Sequence, residues 1–253
     1  MRAAVTGLSL GLSWLTVLPV RGPQDIGRRE GRQAIGAAPV VGALLGAAAA
    51  GVLWLLLEAG LDPALAGLLT VGALALATRG MHVDGLADTA DGLGCYGDPE
   101  RAREVMRSGG AGPFGVAALV VTIGAQALAF GALGASGAVA AVAIAVAAGR
   151  VSAVFACRRG IPASSPTGFG ALVADSQPRW VAALWGLALT LASLWAVPDR
   201  WWQGPLVIVA VLAAAALLVR HCVRRFDGIN GDVLGAAIEF TVAATAVGFL
   251  LGG

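Results

Sequence analysis

AIGAAPVVGALLGAAAAGVLWLLL, running from Ala34 to Leu57, holds no charged residue and a single proline. A helix needs about 20 such residues to cross the hydrocarbon core of a bilayer, and this run supplies them without interruption. Its borders are sharp: Arg28, Arg29, Glu30 and Arg32 stand before it and Glu58 directly after it. Outward from it the alternation continues, with apolar runs at Pro63–Thr78, Gly112–Leu133, Gly137–Cys157, Trp180–Val197, Gly204–Val219 and Val233–Leu251. The shorter of these span with help from flanking polar residues or local thinning of the bilayer. An eighth run, Ala3–Val20, is interrupted near its end by Pro19 and weakened by Gly7 and Gly11, which favours an interfacial or re-entrant helix over a span. The pattern predicts an all-α, polytopic transmembrane helical bundle with seven to eight apolar segments, formed as one integral membrane domain over residues 1–253.

Composition agrees. Of 253 residues, 58% are hydrophobic and 13% charged, where an ordinary soluble domain carries about 25% charge. Every one of the 17 basic residues is arginine, and the net charge of +2 is too balanced for a nucleic-acid partner. Most of the charge gathers in four windows, Arg21–Arg32, Arg79–Arg107, Arg158–Arg179 and Arg220–Asp232. The opposite turns hold Arg200 as their only arginine. Arginine-rich short loops stay in the cytoplasm, so all four windows are expected on that side. Cys95, Cys157 and Cys222 have no CxxC spacing and read as free thiols. The Gly42/Gly46 pair reads as a helix-packing contact.

The windows also hold the chemistry. In HVDGLADTADG, His82 to Gly92, the residues Asp84, Asp88 and Asp91 stand at i, i+4 and i+7, which puts three carboxylates on one face of a helix. Like charges so placed repel, and a hard divalent cation such as Mg²⁺ is their natural partner. His82 is a candidate general base, or a structural histidine. In GDVLGAAIE, Gly231 to Glu239, Asp232 and Glu239 share a face with Gly235 between them. Glu239 lies two turns inside an apolar helix, where a carboxylate marks function by default. The predicted topology brings both motifs in from the same side, so they can meet in one site. Arg150, within an apolar run, is either snorkelling or an anion contact. Arg79, Arg101, Arg103 and Arg107 flank the acidic motif and are candidates for phosphate. Carboxylates for Mg²⁺ with arginines at a half-buried site suggest phosphoryl transfer.

These two motifs closely resemble those of cobalamin synthase, the adenosylcobinamide-GDP ribazoletransferase family. Weaker likeness extends through Leu18-Pro-Val, Pro39-Val-Val-Gly-Ala-Leu-Leu-Gly46, Met106-Arg107, Gly112-Pro-Phe-Gly115, Gly149-Arg150-Val-Ser and Gly168-Phe-Gly170. One departure is the Ser108-Gly-Gly110 that follows Met106-Arg107, where the family often has Asp-Ser-Arg. The resemblance implies a Mg²⁺-dependent enzyme of the bacterial cytoplasmic membrane, its site facing the cytoplasm. It would join α-ribazole, or its 5′-phosphate, to adenosylcobinamide-GDP and release GMP. Asp84, Asp88 and Asp91, with Asp232 and Glu239, would hold the metal. His82 or a free carboxylate such as Asp84 would take the hydroxyl proton, and Arg79, Arg107 and Arg150 would bind substrate. Beyond substrates and lipid, the partners to expect are a second copy of the chain or other enzymes of corrinoid assembly. Two alternatives stand beside this reading. A CDP-alcohol phosphotransferase also sets acids beside Gly and Ala, but the first aspartate of its motif falls on Met81. A cation-coupled transporter would carry its acids near mid-membrane in broken helices.

Overall fold

A computed structural model describes residues 2–22 and 25–252. Its elements in order are α1 (Arg2–Leu15), α2 (Arg28–Glu58), α3 (Pro63–Ala77), α4 (Met81–Gly94), α5 (Pro99–Met106), α6 (Pro113–Ala135), α7 (Val139–Ala156), α8 (Gly168–Val173), α9 (Arg179–Ala192), α10 (Gln203–Phe226) and α11 (Gly231–Leu250). Among the described residues there is no β-strand, only the isolated bridges of Arg158 with Gln177 and Ala163 with Ile229. The all-helical expectation therefore holds.

The number of spans is lower than seven to eight. Five helices are long and apolar enough to cross a membrane, α2, α6, α7, α10 and α11, and a sixth is obtained only by joining α3 to α4. Those two meet at 94°. The apolar run Pro63–Thr78 contains a helix of only 15 residues, about 22 Å at 1.5 Å per residue, against a hydrocarbon core of about 30 Å. Likewise Trp180–Val197 is a 14-residue helix extended by a 3₁₀ turn. Helix α1 also has 14 residues and stops before Pro19, too short for a span, as the interrupted Ala3–Val20 run suggested.

The bend between α3 and α4 has a local cause. Arg79 and Gly80 both adopt left-handed backbone, at φ 58° and 69°. The Gly80 amide donates to the Ala75 carbonyl and the Arg79 amide to that of Leu76, the paired bonds that close a Schellman motif. Helix α3 therefore ends, and α4 leaves across the end of the bundle rather than along it.

Side-chain ties gather the charged windows at this same end. Gln177 donates to the Arg32 carbonyl, Arg103 to Asp227, and Arg225 to the Cys95 carbonyl. At the opposite end Arg200 and Gln203 donate to the Leu251 carbonyl. Small residues let the rods close: a Cβ on Gly42 would lie 2.9 Å from Arg150 Cβ, so the Gly42/Gly46 pair packs α2 against α7. Cys157 and Cys222 are buried and all three cysteines are free.

Candidate functional site

Helices α4 and α11 cross at the charged end, and glycine sets how closely. A Cβ on Gly85 would lie 2.8 Å from Asp232 Cα, and one on Gly235 would lie 3.0 Å from His82 Cα and from its carbonyl oxygen. Each motif thus supplies a glycine on which the backbone of the other rests. Gly85→Val is expected to destabilise the folded chain by about 1–3 kcal/mol through overpacking. Thermal unfolding in detergent reads this directly, and an unchanged midpoint would contradict the contact.

Beside the crossing lies a cavity of about 360 Å³. Its polar wall is His82 and Asp84 from α4, Arg150 from α7 and Asp232 from α11, and its apolar wall includes Trp14 of α1, Ile35 of α2 and Phe169 of α8. The rings of Trp14 and Phe169 meet edge to face with centroids 5.1 Å apart. Helix α8 is held there by Arg28, whose guanidinium donates to the carbonyls of Ala171 and Ala174. A mostly apolar chamber with a few convergent polar groups is the usual form of a ligand site.

The five predicted metal-ligating acids separate into three environments. Asp84 is exposed and Asp88 partly so, and Asp232 is oriented by Asn230, whose amide donates to it at 2.7 Å. The same Asn230 caps α11 by accepting from the Val233 amide. Burial, then the negative charges of Asp84, Asp232 and Asp91, pushes the Asp88 carboxyl up to about 6, so these acids share one field. No ion pair among the described residues neutralises Asp84, Asp88 or Asp232.

Asp91 has turned away. It is 8% exposed and accepts from the Gly112 and Gly115 amides at 2.6 and 2.9 Å, capping the free N-terminus of α6 from a neighbouring helix. A Cβ on Gly112 would lie 2.6 Å from an Asp91 carboxylate oxygen, which accounts for both glycines of Gly112-Pro-Phe-Gly115. Asp91→Ala should therefore cost about 1–3 kcal/mol of stability, because a buried and a partly buried amide lose their acceptor. Equilibrium unfolding of the full chain in detergent checks this, and a loss below about 0.5 kcal/mol would refute the cap.

Glu239 sits behind the cavity wall. It accepts from the Gln126 amide of α6 at 2.7 Å, and its carboxylate lies 3.9 Å from His82 Nδ1. Arg150 Nη2 lies 3.4 Å from that same Nδ1. A guanidinium can only donate, so Nδ1 accepts and the ring proton resides on Nε2. Burial, then the Arg150 charge, holds His82 well below the ordinary histidine range. The imidazole is neutral at pH 7, and its approach to Glu239 is not an ion pair. Its Nε2 is buried with no protein partner, a donor awaiting an acceptor.

Of the predicted arginines, only Arg150 reaches the cavity, and it is 3% exposed. Arg79 occupies the bend before α4, and Arg107 ends α5; both are exposed. Sequence reasoning missed Gln126, Asn230, Trp14 and Phe169. Gln126 carried a signal, being an amide within an apolar run, and Asn230 another, standing where a helix cap is favoured. Phe169 lay within the Gly168-Phe-Gly170 likeness without a role being assigned to it, and Trp14 carried no signal.

A metal fits the donor set in a particular way. Among the described residues no group of three or more His, Cys, Asp or Glu side chains is close enough to cage an ion. Mg²⁺ does not require such a cage, since it is usually held by one or two carboxylates with water and substrate phosphates. The uncompensated oxygens of Asp84, Asp88 and Asp232 suit that mode.

No solved structure matches this chain. Among curated proteins it is similar to adenosylcobinamide-GDP ribazoletransferases of Corynebacterium efficiens, 37% identical over 97% of this chain and 91% of the relative, and of Nocardioides sp., 41% identical over 91% and 92%. A relative of the same name from Bradyrhizobium diazoefficiens is 32% identical over 100% of this chain and 97% of its own length. The family model described as cobalamin-5-phosphate synthase matches residues 7–250, a stretch that includes both crossing motifs and all of α2 to α11. The chain belongs to the cobalamin-5-phosphate synthase family.

Proposed function

We propose that this membrane enzyme joins α-ribazole, or its 5′-phosphate, to adenosylcobinamide-GDP, giving adenosylcobalamin or its 5′-phosphate and GMP. Membership of the family supports the reaction. The observation that carries the site is the crossing of the two motifs, which sets His82, Asp84, Arg150 and Asp232 around one cavity. Its whole length, 1–253, acts as a single integral membrane domain. The bilayer is the bacterial cytoplasmic membrane with the site facing the cytoplasm, a reading supported by the arginine-rich windows gathered at that end.

In this reading the ribazole 3′-hydroxyl oxygen forms a bond to the phosphorus nearest cobinamide. The bond from that phosphorus to the bridging oxygen breaks, and GMP leaves with the electron pair. One or two of the carboxylates of Asp84, Asp88 and Asp232 would hold Mg²⁺ together with water and the substrate's phosphates, and the ion would neutralise charge on the pyrophosphate. Asp91 and Glu239, although in the same motifs, serve the site by holding α6, the first by capping it and the second by accepting from Gln126. His82 Nε2 donates to a phosphate oxygen. The hydroxyl proton passes to a carboxylate acting as base, for which the exposed Asp84 lines the cavity. Arg150 contacts phosphate from inside the cavity, and Arg79 and Arg107 do so from the flanking turns.

The direct test supplies adenosylcobinamide-GDP and α-ribazole, and in a parallel reaction a CDP-alcohol with an acceptor alcohol, to the purified full chain and identifies the nucleotide released. GMP supports the reading, whereas CMP from a CDP-alcohol, or no nucleotide at all, overturns it. A pH dependence follows from Asp88. With its pKa near 6, it is protonated and a poor ligand at pH 5 and ionised at pH 7, so turnover should rise across that interval. Mg²⁺ and the proton compete for the same oxygens, and raising Mg²⁺ should move the midpoint to lower pH. A midpoint indifferent to Mg²⁺ would remove Asp88 from the metal site.

A further inference from the structure

A second cavity lies away from the crossing, at the start of α9. It encloses about 510 Å³ and is lined by Arg32, Arg159 and Arg179 together with Trp180. The three arginines come from α2, the loop after α7 and the first turn of α9, so tertiary structure has collected them. All three are exposed, and the ion pairs among the described residues involve none of them. The acid nearest in the chain to this loop pairing, Asp175, accepts from the Gly160 amide at 2.6 Å instead. A fourth cation, Arg158, lies close enough that its guanidinium is pushed down by burial and then by Arg179. Helix α9 begins with no acid in its first turn and no side-chain cap, which adds the positive end of its dipole. Positive-inside topology accounts for arginine on this side of a membrane. It does not account for three arginines converging on one concavity with none of them in an ion pair.

The surroundings identify the source of the anion. Trp180, Leu184, Leu187 and Leu191 recur at helical spacing along α9 and are 67%, 56%, 57% and 52% exposed, a stripe that faces hydrocarbon. Trp195 at its far end is 72% exposed. Trp180 stands beside the arginines at the end of the bundle that gathers the charged windows, where an exposed aromatic residue suits the membrane interface. The arginine cavity therefore lies at headgroup level. From Trp180 the same helix face continues through Ala183 and Leu187 into an apolar cleft of about 380 Å³ between α9 and α10, closed by Phe155.

We propose that Arg32, Arg159 and Arg179 bind the phosphate of an anionic phospholipid, one acyl chain of which lies in the cleft between α9 and α10. A soluble phosphate could engage the same arginines but would have no use for the cleft. This site does not depend on the reaction proposed above.

The test reconstitutes the full chain into nanodiscs of equal parts phosphatidylcholine and phosphatidylglycerol, re-extracts it, and counts retained lipid by native mass spectrometry. Phosphatidylglycerol should be retained over phosphatidylcholine by about tenfold or more. Arg159→Gln with Arg179→Gln should abolish that preference, and the corresponding pair of lysine substitutions, which keeps the charge and controls for folding, should retain it. Gly186→Leu, which fills the cleft beside Phe155, should reduce retention of both lipids. Equal retention of the two lipids by the unaltered chain would overturn the proposal, as would a preference that survives the glutamine pair or full retention after Gly186→Leu. Displacement of the lipid by millimolar inorganic phosphate would also overturn it, assigning the arginines to a soluble ligand.

Discussion

Asp84→Asn is expected to slow GMP release from adenosylcobinamide-GDP and α-ribazole by about 10³-fold, the size of effect seen when one charge-stabilising group is removed from a reacting centre. The fold should tolerate it. Asp84 is exposed, and among the described residues its carboxylate has no hydrogen-bond or ion-pair partner. Asparagine keeps the shape and removes a charge that Asp88 already feels. Unfolding midpoints should therefore stay the same or rise slightly, while single-turnover rates with Mg²⁺ fall. Asp91→Ala should show the opposite pattern, losing stability while the folded fraction keeps its Mg²⁺ response. A loss of stability with Asp84→Asn, or full activity, would dissolve the distinction between these two neighbours.

Arg150→Met should have the largest effect on stability. The guanidinium is 3% exposed, lies 3.4 Å from His82 Nδ1 and is the cation that interacts with Glu239. Without it, Glu239 remains in an apolar helix with the Gln126 amide as its compensation. Arg150 and Glu239 form no ion pair within 4 Å, yet each lies in the other's field. Losing the guanidinium removes that field from Glu239 and the donor from His82 Nδ1, which together should cost about 3–5 kcal/mol. Adding Glu239→Gln should return much of that loss, because no charge is then left stranded. Chemical unfolding of the single and double variants in detergent measures both numbers. Additive losses would show that Arg150 and Glu239 are not coupled. Activity should not return in the double variant, since Arg150 also reaches the cavity.

How much of this was legible in the amino acids differs from element to element. Each apolar run between charged windows did become a helix, because the alternation of charge and apolarity is a direct record of solvent. Span length was harder to read. Pro63–Thr78 looked like a crossing, yet its helix ends in a Schellman turn whose left-handed residue is Arg79, and no sequence preference announces arginine there. The spacing of Asp84, Asp88 and Asp91 correctly placed them along one helix. Spacing specifies direction and not neighbour, so it could not show that the N-terminus of α6 waits beside Asp91. Glu239 was recognised as an expensive group in an apolar helix. Its hydrogen-bond partner Gln126, and the His82 and Arg150 whose surroundings it shares, come from three other helices. Trp14 and Phe169 meet only because α1 and α8 fold over the same cavity. Contacts of that kind belong to tertiary packing.

Whether the two acidic motifs form one site is decided by a double-mutant cycle on Asp84 and Asp232. Asp84→Asn, Asp232→Asn and the double variant would be compared for Mg²⁺-dependent GMP release. If both carboxylates hold the same ion, the second substitution removes little that the first has not, and the double variant falls no further than the worse single one. Losses that multiply would mean that the two motifs act separately and that the crossing of α4 and α11 is packing alone.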